Sequence, residues 1–517
     1  MRADQVPFWE LITWRADQTP EARFAVDERG RTLTFAAYRD ECARVAAGLH
    51  DRGVRAGAPV AWMLPTWLEA FVLAGALARL DALQVPLIPI LRELEVGYIL
   101  RQSDARHLVV PGEWRGYDYP ALARTVTAEL PHAVDVIVAD RALPVGEVRA
   151  LPAPPPIWTK PADAPVRWVF YTSGTTSNPK GTRHTDATVA AAAHRCNLRF
   201  EMVAGDREGL VFPVTHIGGI SWLMGSLMVG YSHIMIEAFS AEDSCAVLAR
   251  EGVTIAGAGP AFWMAYVAEQ RKHPDHRVFP HLRALVGGGA PKPATMHEDV
   301  RDVLGVTLAT GYGLSECPAL AHSGVSDPED VRRGDGHALD DVEIRIVRGD
   351  GTDAAPGEVG EIRVTGPMLF RGYLDPADDL DAFDDHGFHR TGDLARMDER
   401  GVLTVTGRLK DIIIRKGENI SAKEVEDALY RHPAIADVAV IALPDAERGE
   451  MCCAVVVLAP DATGIDLAGV DAHCRRLGLA RQKVPERLEI VEELPRNPTG
   501  KVLKGLLQDR LRAAPRP

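Results

Sequence analysis

The stretch YTSGTTSNPKGT, Tyr171–Thr182, crowds hydroxyl side chains, two glycines and one lysine behind a β-type run, VRWVF. A strand that ends in such a loop can offer backbone N–H groups and hydroxyls to phosphate oxygens, with the lysine adding charge. The loop is not of the G-x-x-x-x-G-K-[ST] type, because Pro179 precedes Lys180 and Gly181 follows it. The second candidate, NPTGKV, also fails that pattern, so a P-loop nucleotidase is excluded. Taken alone, the loop also reads as a polar surface turn.

Around it, short β-rich runs such as APVAWML and TIAGAG alternate with Ala/Leu-rich runs such as EAFVLAGALARL and SCAVLAREG. That alternation predicts α/β layers with largely parallel sheets. Leu151–Pro165, LPAPPPIWTKPADAP, reads as a surface connection. From about Gly357 the texture changes to short strands, GEVGEIRVTG, GVLTVTG and DIIIRKGE, followed by a smaller α/β segment. Ser421 and Glu424 stand at capping-box spacing, which predicts a helix starting after Ser421.

The chain has 517 residues, more than one ordinary core accommodates, so two or more domains are expected. Its net charge of -14 argues against general nucleic-acid binding and leaves room for a local basic site. Seven scattered cysteines without a C-x-x-C pair point to reduced thiols in a cytoplasmic protein, not to a disulfide framework or a zinc site. The start shows no signal-peptide pattern. The most apolar stretch, WLEAFVLAGALARLDALQVPLIPI, carries Glu69, Arg79 and Asp81, so it reads as a helix running into a strand and not as a membrane span.

YTSGTTSNPKG resembles the phosphate loop of the adenylate-forming superfamily, which includes acyl-CoA synthetases, peptide-synthetase adenylation domains and firefly luciferases. Four further stretches stand in that family's order and spacing: GYGLSE (Gly311–Glu316), RTGDL (Arg390–Leu394), GRLKDIIIRKGENI (Gly407–Ile420) and PRNPTGK (Pro495–Lys501). The similarity runs from about residue 10 to residue 505. It implies a large N-terminal α/β domain of layered sheets and helices, residues 1–409, and a small mobile C-terminal α/β domain, residues 410–517. It also implies ATP, Mg2+ and coenzyme A as co-substrates, and an acid activated as its adenylate before transfer to a thiol.

The same resemblance implies the roles of individual residues. Thr172, Ser173, Gly174, Thr175, Thr176 and Lys180 would hold the β- and γ-phosphates, with Ser177 departing from the glycine usual there. Glu316 would be the magnesium ligand, Tyr312 would stack on adenine between Gly311 and Gly313, and Ser315 would reach the α-phosphate. Gly288, Gly289 and Ala290 in VGGGAP would line the adenine and acyl pocket. Asp393 and Arg408 would hold the ribose, although an aspartate after glycine is by itself a turn residue. Lys501, in a mobile small domain, would contact the acid and the α-phosphate. Lys410 would be the hinge, Gly417 would approach the pantetheine arm, and His216 would mark the junction of acyl pocket and thiol tunnel. Trp222 and Phe262 read equally as pocket lining and as core. The acidic run DPADDLDAFDD reads as a solvated loop.

Only sixteen residues follow Lys501, without a carrier-protein serine motif, and PVTHIGGISW has no aspartate for an α-amino group. The expected substrate is therefore a fatty, alicyclic or aromatic carboxylic acid. No nucleic acid and no integral membrane segment is expected, and a homodimer is left open. Two alternatives stand beside a CoA ligase. One is an adenylating enzyme with another acceptor, for example a diazotase acting on nitrite and an aryl amine. The other is an inactive nucleotide-binding protein.

Overall fold

The computed structural model describes residues 6–172, 179–290, 292–293, 295–415, 418–445, 448–497 and 500–512. Ser173, Gly174, Thr175, Thr176, Ser177 and Gly417 lie outside the described residues.

Two parallel-cored sheets with helices between and around them form the body of the large domain. The six-stranded sheet runs Gly181–Thr185, Val166–Tyr171, Leu83–Pro86, Pro59–Trp62, His107–Val110, Asp135–Val138 in spatial order. It is parallel except for the hairpin between its first two strands. The nine-stranded sheet places Arg207–Leu210, Ile255–Ala256, Ala284–Gly288 and Thr307–Leu314 side by side and parallel. Strands buried on both faces must be apolar throughout, which is why these segments read as β-branched and small-residue runs.

The apolar stretch after Trp67 is the helix Leu68–Arg79, followed by the strand Leu83–Pro86, as its charges and prolines predict. Its small residues let a neighbouring helix, Phe35–Asp51, come close. A Cβ added at Gly75 would meet Cys42 Sγ at 2.4 Å and Tyr38 Oη at 2.9 Å. Tyr38 itself is fully buried and donates to Phe71 O at 3.0 Å. The core continues through Trp168, Leu223 and Trp263 and spans both sheets. The Pro-rich segment 151–165 is almost wholly at the surface. All seven cysteines are free, and burial raises their thiols.

An antiparallel four-stranded sheet, Glu343–Val347, Gly360–Thr365, His389–Met397 and Leu403–Arg408, completes this part. A single 3-10 turn, Leu409–Asp411, then leads into a second, smaller α/β unit. There Glu418–Ser421, Ile412–Arg415, Gly449–Leu458 and Ile435–Asp445 pair in order, and Arg487–Ile490 runs parallel to Gly449–Leu458. Ser421 caps the helix Ala422–Leu429 by accepting from Glu424 N at 3.4 Å. The reciprocal contact of a capping box is replaced by an ion pair between Glu424 and Lys483 at 2.7 Å. No helix of the described residues is long and apolar enough to cross a membrane.

Candidate active site

The hydroxyl-rich loop is closed at its base by the strands that flank it. Gly181 pairs with Tyr171, and Thr172 N donates to Lys180 O at 3.0 Å. The outer edge of the second strand is covered by residues 371–374: Leu374 N donates to Gly181 O at 2.7 Å and Arg183 N to Gly372 O at 3.1 Å. That pairing slides Tyr373 under Lys180, whose Nζ lies 5.0 Å from the ring centroid. Tyr373 Oη donates to Glu316 Oε1 at 2.7 Å, and burial with the charge of Glu316 raises the tyrosine's pKa.

The segment after Tyr373 is only in part the expected solvated loop: Asp381 and Asp385 are exposed, while four of its carboxylates are taken up. Asp375 accepts from Ala377 N at 2.9 Å and starts a 3-10 turn, Pro376–Asp379. Asp379 accepts from Tyr373 N at 2.8 Å, Asp384 accepts from the backbone at His386 and Phe388, and Asp378 pairs with Lys180 Nζ at 2.9 Å. Asp375, Asp378, Asp379 and Asp384 each answer a backbone or ammonium donor.

Glu316 stands at the end of the strand Thr307–Leu314, which is buried at its start and half-exposed from Gly311 onward. His184 fixes the turn between this strand and the next. Its Nε2–H donates to Ser315 O at 2.8 Å, and burial brings its pKa down to about 4, so the ring is neutral at ordinary pH. Beside this strand lies the VGGGAP turn. A Cβ at Gly287 would meet Ala258 O at 2.2 Å, and one at Gly288 would meet Gly311 O at 2.2 Å, so bare backbone is required at both. Ala258 itself is held at φ 111, a conformation that L side chains rarely adopt, and its carbonyl accepts from Gly288 N at 2.9 Å.

Behind this turn the contacts close a ring of aromatic groups. The ring atoms of Trp222 lie 3.3–3.5 Å from where a Gly257 Cβ would be. Trp222 stacks on Phe200 at 5.6 Å, Phe200 meets His322 edge-on at 4.7 Å, and His322 packs against Gly311. Trp222 is half-buried. Phe262, by contrast, is buried and meets Phe239 edge-on at 4.9 Å, in the main core. His216 caps the helix Ile217–Val229, its Nδ1 accepting from Gly218 N at 3.1 Å. Burial lowers its pKa to about 4.

On the other side of the strand Asp393 is almost wholly buried between Tyr312 and Arg408. Tyr312 Oη donates to Asp393 Oδ2, and Arg408 Nε lies 2.6 Å from Asp393 Oδ1. Burial raises the pKa of Asp393, with Arg408 the largest opposing influence. Lys501, from the small unit, reaches the same place. Its turn is held by Asn497, whose Oδ1 accepts from Lys501 N at 2.9 Å, and Gly500 leaves only 3.0 Å between its Cβ position and Ala261 Cβ of the large domain. Burial lowers the Lys501 pKa to about 8; Arg408 adds to the lowering, and Asp393 and Asp411 oppose it. Lys410 is exposed in the turn between the units.

The structure thus brings Lys180, Glu316, Tyr312, Ser315, Asp393, Arg408 and Lys501 around one region, with Gly288, Gly289 and Ala290 on its rim. Sequence reasoning missed Tyr373, Asp378 and His184, none of which stands in a phosphate-loop pattern. The AMP-binding enzyme family matches residues 12–374, and its C-terminal domain family matches residues 424–501. The chain belongs to the AMP-binding enzyme family. This makes it a member of the adenylate-forming superfamily, whose ligases it resembles over nearly its whole length. It is 30% identical over 516 residues to the medium-chain fatty-acid–CoA ligase of Escherichia coli (strain K12), covering 98% of this chain and 90% of the relative. It is 33% identical to the salicyl-AMP ligase / salicyl-S-ArCP synthetase of Mycobacterium tuberculosis, covering 94% and 86%. The solved structure of ATP-bound MatB from Rhodopseudomonas palustris superposes with a TM-score of 0.86 at 26% identity, covering 98% and 99%.

Proposed function

We propose that the protein is an ATP-dependent carboxylic acid–CoA ligase that forms an acyl adenylate and then a thioester. The observation that carries this reading is that Lys501, on the small unit, lies near enough to the Asp393–Arg408 pair of the large one for their charges to act on it. A carboxylate and a triphosphate repel each other, so bringing them together requires a fixed cation between them. In our reading the acid's oxygen attacks the α-phosphorus while the bond to the pyrophosphate group breaks, and Lys501 offsets the charge on both partners. Lys180, Thr172 and the loop residues Ser173, Thr175 and Thr176 receive the leaving pyrophosphate. Asp393 accepts from the ribose hydroxyls, Arg408 steadies it, and Tyr312 lies against adenine. The acid occupies the space bounded by the glycine turn and the Trp222 wall.

Among the described residues no group of three or more His, Cys, Asp and Glu could hold a metal ion. Glu316 offers one carboxylate, fixed at Oε1 by Tyr373, with Oε2 without a hydrogen-bond partner among those residues. That suits Mg2+, which takes one or two carboxylates and completes its shell with phosphates and water. When bound, the ion would offset charge on the phosphate oxygens.

For the second step we assign a rotation of residues 410–517 about Lys410 that withdraws Lys501 and brings Gly417 to the pantetheine arm. The thiol then attacks the acyl carbon near His216 and AMP leaves. A second reading, in which the adenylate is handed to another acceptor, is favoured by the likeness to an acyl-AMP ligase. The test is pyrophosphate release from ATP and magnesium over fatty, alicyclic and aromatic acids, with and without coenzyme A. Acyl-CoA and AMP together support the ligase. Acid-dependent pyrophosphate without thioester supports the second reading, and no acid-dependent pyrophosphate overturns both.

A further inference from the structure

We propose that Asp378 is a positioning residue for Lys180: it holds the ammonium in place of the phosphates and must release it when ATP binds. The inference rests on the reading of Lys180 as a phosphate contact.

Asp378 stands on the 3-10 turn Pro376–Asp379, whose start is capped by Asp375 and whose last residue, Asp379, accepts from Tyr373 N. Tyr373 in turn is bridged to Thr182, two residues beyond Lys180. The carboxylate is therefore presented from a braced backbone and is not a chance partner on a loose chain. It lies 2.9 Å from Lys180 Nζ, while the face of Tyr373 lies 5.0 Å from the same nitrogen. A lysine carries one charge, so while Asp378 holds the ammonium an arriving phosphate oxygen must displace that carboxylate to gain the full attraction. The contact works against the leaving group as well as the substrate. When pyrophosphate departs, the carboxylate recaptures Lys180, and the cation never has to stand unpaired. Asp378 thereby sets a moderate affinity for the β- and γ-phosphates and leaves the nucleoside part untouched. Both partners are partly exposed, 38% and 28%, so solvent screening keeps the effect to about a few-fold.

The experiment measures binding of Mg–pyrophosphate, ATP and AMP to the full chain by titration calorimetry. Asp378→Asn is expected to tighten pyrophosphate by about twofold to fivefold and ATP in the same direction. AMP, which has no β- or γ-phosphate, keeps its affinity. Asp378→Glu retains a carboxylate and stays close to the parent. In a Lys180→Ala background the Asn substitution has no effect on pyrophosphate. The proposal is overturned if pyrophosphate binds no tighter to Asp378→Asn with AMP unchanged, or if the tightening survives without Lys180. Asp378→Ser carries the same comparison should the Asn variant not fold. If Lys180→Ala alone leaves pyrophosphate affinity unchanged, the phosphate-loop reading itself fails, whatever Asp378 does.

Discussion

Raising the pH removes the charge from Lys501 without touching its packing. Burial and the neighbouring Arg408 lower its pKa to about 8 from the 10.5 of a free lysine. A lysine with a depressed pKa is charged below that value and neutral above it. The charged fraction is then about nine-tenths at pH 7, one-half at pH 8 and one-tenth at pH 9. If the ammonium offsets the charge of acid and phosphate, kcat/KM for acid-dependent pyrophosphate release falls about tenfold between pH 7 and pH 9. The limb in kcat lies higher, because bound phosphates favour the charged form. The assay is run without coenzyme A, so that no thiol titrates in the same range. Conversion of a supplied acyl adenylate to thioester should lack this limb if, as proposed, Lys501 leaves the site in that step. Lys501→Arg keeps its charge throughout and flattens the profile at a lower rate, and Lys501→Ala costs on the order of 10²–10³ in pyrophosphate release. A descending limb at pH 8 that persists in Lys501→Arg would refute the reasoning, as would a flat profile to pH 10 in the parent.

Tyr373→Phe keeps the ring beneath Lys180 and removes the O–H donated to Glu316. It should raise the magnesium needed for half-maximal pyrophosphate release by on the order of tenfold, read by metal titration. Trp222→Ala opens the aromatic wall behind the glycine turn, and kcat/KM should move toward longer acids by on the order of tenfold, read on the same acid panel. Gly75→Val forces a side chain onto Cys42 and Tyr38, where the helices leave no space. It should cost about 1–3 kcal/mol in urea-induced unfolding.

The parts of the site that were legible in the sequence are those whose chemistry is local. A strand feeding a hydroxyl-rich loop is written in consecutive residues, as is the helix-to-strand passage from Leu68 to Pro86, because period and turn chemistry act over a few positions. Tyr373 and Asp378 were not legible, because their meaning comes from an edge pairing between Gly181–Arg183 and residues 371–374, almost two hundred positions apart. The acidic run shows the same limit. Charge density alone reads as solvated, which holds for Asp381 and Asp385, while Asp375, Asp379 and Asp384 bind turn amides and Asp378 binds Lys180. Trp222 needed the opposite information, the bare Cα of Gly257 against which its ring lies.

The pattern of charges also bears on how a chain with net charge -14 could receive a polyanion. Lys180 and Arg408 each already hold a carboxylate, Asp378 and Asp393 respectively. Such pairing lets cations stand in a partly dry cleft without the full cost of desolvation. At Lys180, as proposed, binding a nucleotide would exchange one anion for another, while Arg408 keeps Asp393. Lys501 differs from Arg408, whose pKa is raised. Its own pKa is lowered, so the carboxylates around it do not fully repay its burial. Under the proposed mechanism that deficit is made good only when phosphates and acid are in place, so its attraction to them is greatest when all reactants are present. Under that mechanism, insertion of the small domain would be tied to occupancy of the site.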